Sequence, residues 1–279
     1  MKKSTMQKHT KIANAIMYYI YKYVDTDINL DELSHDLGIS KFHMHRIFKK
    51  EFEKNIYESI KSIRLQKASS LLLTNSHATI SEIASNCGYS SHASFIKAFK
   101  ERFSRTPSVW RSKEYRKNYF LNERSFANLE MKVVKMPKID VYYIRHKGYN
   151  EKIKKVWQKL QTWVYFNEIK EYQQIALYHD NPTITSLEQC HYVACISTEQ
   201  SLTNSSLSKL TIPKGVYAKF DFSGKYGDVL EFMQWVYFEW LPENGYETTT
   251  KPAYSIYHKN HFLEDDSLFK LSYYLPIKI

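Results

Sequence analysis

The chain has 279 residues, 43% of them hydrophobic, with 40 Lys+Arg against 29 Asp+Glu and a formal charge of +11. That length allows two ordinary domains with real cores, and the basic balance makes a polyanion a reasonable partner. Three cysteines, Cys87, Cys190 and Cys195, exclude a disulfide framework and read as small buried hydrophobes of a reducing cytoplasm.

The amino terminus, MKKSTMQKHTKIANAIMYYIYKYV, superficially resembles a signal peptide. Lys8, Lys11 and Asn14 interrupt its apolar region, and no small-residue cleavage site follows. No run approaches about 18 apolar residues, so no membrane span is expected. Residues 9–24 instead predict a helix, with Ile12, Ile16, Tyr19, Ile20 and Tyr23 on one stripe. After a polar break at Asp25–Asn29, residues 30–37 form a short helix, and Ser40 is a good N-cap for the next. Residues 56–73 read as a longer helix with an apolar face of Ile60, Ile63, Leu65, Ala68, Leu71 and Leu72. A break at Asn75–Ala78, helices at 80–87 and about 91–103, and a last short helix opened by Pro107 and carrying Trp110 complete an all-helical region.

This region repeats itself. Gly38 and Gly88 each follow a short amphipathic helix, where a left-handed turn needs the positive φ that glycine adopts without Cβ strain. Ser40, and Ser90 or Ser91, then open second helices. Leu30, Leu33 and Leu37 fall on Ile80, Ile83 and Cys87; Met44, Ile47, Phe48 and Phe52 fall on Phe95, Ala98, Phe99 and Phe103. The spacing is that of two helix-turn-helix modules joined by one apolar helix, the second helix of each being the type that enters a DNA major groove. Charge agrees: residues 1–125 hold 22 Lys+Arg against 12 Asp+Glu, residues 126–279 hold 18 against 17. His43, His45 and His92 do not form a metal site by spacing, and no metal or cofactor is expected.

A linker is expected at 118–129. Beyond it the composition turns to Tyr, Val, Ile and Phe in segments such as KIDVYYIRH, QQIALYHD, HYVACIST, GVYAKFDF, AYSIYH and KLSYYLPI, all strand-like. Helices are predicted at 151–165, on Ile153, Val156, Trp157, Leu160 and Val164, and at 226–240, on Val229, Leu230, Phe232, Met233, Val236 and Trp240. A shift of about 76 places Pro137 on Pro213, Gly148 on Gly224 and Gln158 on Gln234, while IALYHDN and YSIYHKN match three residues further out of phase. A duplicated β-α-β-β unit follows, with a ligand cleft expected between the copies.

LDELSHDLGIS, RIFKKEF, IRLQKASSLLL, ISEIASNCGYSSHASFIKAFKERF and TPSVWR together resemble the DNA-binding domain of AraC/XylS-family transcription regulators, with Glu53 and Ser104 at turns where the family often has glycine. The resemblance implies that two recognition helices offer Lys41, Phe42, His45 and Arg46, and Ser91, His92, Ala93 and Lys97, to successive major-groove segments. Lys49, Lys50 and Lys100 suit phosphates. YYIRHKGYN, ALYHDNPTIT, CHYVACIST, KGVYAKFDFSGKY, EWLPENGYE and SYYLPIK resemble the GyrI-like small-molecule-binding domain. Where that family often has a glutamate this chain has Ser255, so a cationic ligand is not implied; Asp221 and Glu239 are the acids that would replace it. Tyr149, Trp163, Tyr217, Trp240, Tyr254 and Tyr257 are candidates to line the cleft.

The expectation is a two-domain cytoplasmic regulator, not an enzyme: an all-α DNA-binding head at 1–117 and an α+β effector domain of duplicated β-α-β-β units at 130–279. Its expected partners are promoter DNA, RNA polymerase, as an activator, and a small lipophilic or aromatic effector, and it would act as a monomer or weak dimer. The alternatives are a tail that sequesters a toxic compound or holds a protein partner, and a small-molecule hydrolase.

Overall fold

A computed structural model describes residues 3–112, 126, 128–202 and 205–278. The expected linker at 118–129 falls mostly outside the described residues. The chain divides into two compact units: Met1–Ser69 with Ala78–Trp110 and Asn204–Ser208, and Ser70–His77 with Arg111–Thr203 and Lys209–Ile279.

The helices of the first unit are α1 (Lys3–Lys22), α2 (Leu30–Asp36), α3 (Lys41–Phe52), α4 (Ile56–Thr74), α5 (Ile80–Asn86), α6 (His92–Phe103) and α7 (Pro107–Arg111), the last residues of α4 and α7 being counted with the second. α1 starts earlier than its apolar stripe indicated. Four of these starts have a side-chain cap. The Asn29 side chain accepts from the amides of Asp31 and Glu32, Ser40 from His43, Ser91 from Ser94, and Thr79 forms a capping box with Glu82. Ser91, not Ser90, is thus the cap of α6. Gly38 and Gly88 turn the chain at φ of +62° and +76°. Ile16, Ile20, Met44, Phe48 and Ile63 share one buried cluster in which α1 backs α3. Phe95, Ala98 and Phe99 do the same service for α6.

The second unit is built on one antiparallel sheet. Its strands are β1 (Met131–Met136), β2 (Ile139–Lys147), β3 (Gln173–Tyr178), β4 (His191–Ser197), β5 (Ser208–Ile212), β6 (Gly215–Lys225), β7 (Glu247–Thr248), β8 (Ala253–Lys259) and β9 (Leu268–Lys278). The order is β1-β6-β9-β8-β3-β4-β2-β5, with β7 beside β9. The duplication is visible in the register. Tyr142↔Ile196 in β2 and β4 recurs as Ala218↔Leu275 in β6 and β9, and Ala176↔Ala194 recurs as Ser255↔Tyr273. Even the turns repeat: Asn181 Oδ1 accepts from the Thr183 amide, and Asn260 Oδ1 from the Phe262 amide. The outermost strands, β1 and its counterpart β5, are exchanged between the copies. β1 pairs with β6 of the other copy, and β5 lies beside β2.

α8 (Lys152–Phe166) buries the expected stripe. The second helix differs from the expectation: α9 (Asp228–Trp235) passes into a π turn at Val236–Trp240 and then α10 (Leu241–Asn244). The wider turn breaks the 3.6-residue period, so Val229 and Leu230 are only half-buried while Tyr237 is buried. Gly148 keeps the positive φ of its turn, but in the second copy Gly227, not Gly224, carries it (φ +101°), because β6 runs on through Gly224 to Lys225.

Candidate DNA interface and ligand site

Along α3 the buried Met44, Ile47 and Phe48 fix which residues face outward: Lys41, Phe42, Arg46, Lys49 and Lys50 are exposed, Phe42 to 78%. Arg46 donates from Nη2 to His43 Nδ1 at 2.9 Å, which holds the guanidinium against its own helix. Lys41 pairs with Asp31 at 2.6 Å, an exposed and therefore weak tie. His45 is half-buried and stacks on Tyr57 of α4, centroids 5.6 Å apart, so it is the least free of the first set. On α6, His92, Ala93, Lys97 and Lys100 are exposed, as is Ser91, whose hydroxyl oxygen is already spent on capping.

In the second unit, antiparallel partners share a face and successive residues alternate. One face carries Ser255 and Tyr273, then Ala176, Tyr178, Tyr192 and Tyr257. α8 and the π turn bring Trp157 and Tyr237 to the same face, and Tyr149 follows the Gly148 turn. Tyr149 lies against Tyr178 and Tyr192, centroids 6.5 and 5.6 Å apart; Tyr178 lies 6.1 Å from Tyr273, and Trp157 lies 5.7 Å from Tyr257. Trp157 Nε1 donates to the Tyr192 hydroxyl at 3.0 Å, and Tyr178 donates to Ser255 Oγ at 3.1 Å. Loss of water raises the phenols of Tyr149, Tyr192, Tyr257 and Tyr273, and pushes those of Tyr178 and Tyr237 up to about 12. All are neutral donors at ordinary pH. The hydroxyl of Tyr149 is buried and has no hydrogen-bond partner among the described residues, although the residue as a whole is only half-buried.

The six residues expected to line the cleft separate. Tyr149 and Tyr257 join this tyrosine cluster. Trp163 packs on Tyr142 at 4.9 Å and Trp240 on Phe220 at 5.0 Å, toward the two flanks of the same face. Tyr217 and Tyr254 stand on the opposite face, where Tyr254 stacks on Tyr274 at 4.6 Å. Tyr178, Tyr192, Tyr237, Tyr273 and Trp157 were missed. Strand parity was the available signal, since Tyr254 and Tyr257 are an odd number of residues apart.

Neither replacement acid reaches the cluster. Asp221 is on the opposite face, bonded to Lys219 and Ser272, and Glu239 is exposed on the π turn. Asp180 is the acid felt by Tyr149, and its Oδ2 accepts from the amide and Nδ1 of His191 at 2.7 and 2.9 Å. Asp221, Ser272 and His258 superficially suggest a nucleophile triad. Here the serine, 1% exposed, sits between acid and histidine, whereas nucleophile activation needs histidine between the other two. The three cysteines are free and buried. Among the described residues no His, Cys, Asp or Glu group is gathered for a metal ion, and no helix is long and apolar enough to cross a membrane.

A tandem helix-turn-helix head with a duplicated, tyrosine-lined sheet defines a regulator-type architecture. Residues 129–278 match the GyrI-like small molecule binding domain and residues 33–113 a helix-turn-helix domain, and the chain belongs to the GyrI-like family with an AraC/XylS-type head. Its head is 31% identical over 103 residues to the regulatory protein SoxS of Escherichia coli, covering 37% of this chain and 95% of SoxS. It is 35% identical over 95 residues to the xylose operon regulatory protein of Escherichia coli, covering 34% of this chain but only about a quarter of that protein (24%). Among solved structures, the C-terminal domain of AraT, a response regulator from Geobacillus stearothermophilus, is 26% identical, covering 42% of this chain and 93% of that one, at a TM-score of 0.35. The EcmrR–DNA complex is 14% identical, covering 89% of this chain and 98% of that one, at a TM-score of 0.46.

Proposed function

We propose that the chain is a non-enzymatic, cytoplasmic transcription regulator, an activator acting through RNA polymerase, whose α3 and α6 read successive major-groove segments of promoter DNA. The observation that carries this reading is the repetition of an exposed, basic, serine-capped second helix on a shared buried pattern. Arg46 makes a bidentate contact to guanine, worth about 1–3 kcal/mol of discrimination, and Phe42 or Ala93 meets a thymine methyl. Lys49, Lys50 and Lys100 neutralise phosphates and set register. The protein binds as a monomer or weak dimer, since one chain already carries both helices.

The effector site is the tyrosine cluster of the second unit. It offers aromatic faces and neutral hydroxyl donors, and the Asp180 carboxylate near it is already engaged by His191. A desolvated cation would lack a dedicated counter-charge there, so the effector is an uncharged aromatic molecule bearing a hydrogen-bond acceptor. Selection of duplexes from random DNA, followed by salt titration of the winners, tests the DNA reading. Neutralising roughly 6–10 phosphates gives a log–log slope near −0.9 per phosphate. No enrichment, or a flat salt response, would remove it.

A further inference from the structure

Arg64 lies near the middle of α4, the helix that joins the two helix-turn-helix modules. Its side chain reaches back to the first module: Nε donates to the Val24 carbonyl at 3.1 Å and Nη2 to the Thr26 carbonyl at 2.6 Å. These carbonyls lie in the turn that follows α1, the helix that backs α3. The guanidinium also lies against the turn of the second module. A Cβ at Gly88 would stand 2.6 Å from Arg64 Cζ and Nη2 and 2.7 Å from Nε, so the lack of a side chain at Gly88 is what admits the group. The matching turn of the first module is empty: a Cβ at Gly38 meets nothing within 4 Å, although its φ of +62° is nearly that of Gly88 at +76°. One planar cation thus hydrogen-bonds the turn that follows α1 and packs against the turn that launches α6. A guanidinium does this better than an ammonium, because its donors are held in one rigid plane.

We propose that Arg64 is a positioning residue that sets the spacing of the two recognition helices and, with it, the base-pair spacing required between the two half-sites. The inference rests on the DNA reading above. Arg64 touches no base in this account. It restrains the angle and offset between modules that a single helix would otherwise leave to bending of α4. The restraint is asymmetric, because Gly88 alone of the two turn glycines is in contact with it.

The test uses the full chain and a selected duplex whose two half-sites are separated by the preferred spacing, or by one or two base pairs more or fewer. The wild type is expected to lose about tenfold or more in affinity at each altered spacing. Arg64→Ala is expected to weaken binding at the preferred spacing and to flatten the spacing profile to about two- to threefold. Gly88→Ala, whose Cβ displaces the guanidinium, should reproduce that flattening. Gly38→Ala, with similar backbone strain and no contact, should weaken stability while leaving the profile steep. Should Arg64→Ala fail to fold, Arg64→Lys and Gly88→Ala carry the comparison. Equal loss at every spacing, an unchanged profile, or flattening by Gly38→Ala as large as that by Gly88→Ala would overturn the proposal. A wild type that selects no duplex defeats the DNA reading itself, whereas a wild type that binds specifically but ignores spacing defeats only the role of Arg64.

Discussion

The sharpest consequence of the tyrosine cluster is that two chemically identical substitutions should act with opposite sign. Tyr178 is buried and donates to Ser255, which is fully buried; Tyr149 has a buried hydroxyl with no partner among the described residues. Tyr178→Phe removes a satisfied hydrogen bond and leaves Ser255 Oγ unpaired out of water, at a cost of about 1–3 kcal/mol. Tyr149→Phe removes an unpaired polar atom, and the desolvation penalty returned is of the same origin. Because the residue as a whole is only half-buried, the lower end, about 1 kcal/mol of stabilisation, is the expectation. The two variants should therefore differ by about 2–4 kcal/mol, with Tyr149→Phe the more stable. Urea denaturation followed by near-ultraviolet circular dichroism, which reports the tyrosine-rich second unit, measures the midpoints, and the slopes must match for the comparison to hold. The function should move the other way. If Tyr149 donates to the effector, Tyr149→Phe loses about 0.5–1.5 kcal/mol of binding, roughly 2–10-fold. 4-Phenylpyridine against biphenyl, two rings of one shape differing in an acceptor, is a suitable probe pair. Destabilisation by Tyr149→Phe as large as that by Tyr178→Phe would mean that the hydroxyl is already satisfied, and its assignment to a ligand would go with it.

Arg46→Ala should weaken binding to a selected duplex far more than to random DNA, while Lys49→Ala weakens both alike; competition titrations at fixed salt separate the two, and equal losses for Arg46→Ala would refute its role. Glu53 and Ser104 end α3 and α6 in the left-handed region, at φ of +60° and +57°. Since that conformation costs a non-glycine residue about 1–2 kcal/mol and glycine returns about 0.5–1 kcal/mol of it as backbone entropy, Glu53→Gly and Ser104→Gly should each stabilise the first unit by about 0.5–1 kcal/mol in thermal melts. Burial lowers His261 from 6.5 to about 4, among Tyr226, Tyr257, Phe262 and Phe269. The unfolded chain then binds a proton that the folded one refuses, so this residue makes stability fall as pH drops from about 6.5 to about 4 and adds nothing further below that; His261→Gln should flatten that stretch of the stability–pH curve.

The head was legible because its signals are local. Asn29, Ser40 and Thr79 cap helices with their own side chains, Gly38 and Gly88 mark turns by conformation, and the apolar stripes of α3 and α6 repeat residue for residue. The β-α-β-β repeat was legible for the same reason, through its turns. What escaped was set by pairing between distant segments. The crossing of β1 to the other copy leaves no mark on its own six residues. The π turn that buries Tyr237 is a change of one residue in helical period, and the stripe 229–240 fits an ordinary helix almost as well. Tyr217 and Tyr254 were grouped with Tyr257 by composition, although the face on which a strand residue lies depends on register.

The registers also say what kind of ligand the duplicated sheet can hold. The local two-fold passes between Ala176 and Ser255, since Tyr178↔Ala253 and Gln174↔Tyr257 flank that pair symmetrically. Tyr178 and Tyr257 are therefore images of each other, as are the turns at Asn181 and Asn260. The remaining rings break the symmetry. Tyr192 in β4 corresponds to Leu271 in β9, and Tyr273 in β9 to Ala194 in β4. Even the axis pair is unequal, one member carrying a hydroxyl that Tyr178 alone reaches at 3.1 Å. A symmetric scaffold gives the two copies a common floor, but apart from Tyr178 and Tyr257 the hydroxyls stand at unmatched positions, Tyr149 and Tyr192 in one copy and Tyr237, Ser255 and Tyr273 in the other. Such a site distinguishes the two ends of a bound molecule. An effector with its acceptor at one end should bind in a single orientation, and moving one hydroxyl to its image position, by Tyr192→Leu together with Leu271→Tyr, should shift the orientation seen by ligand-to-protein nuclear Overhauser effects rather than abolish binding.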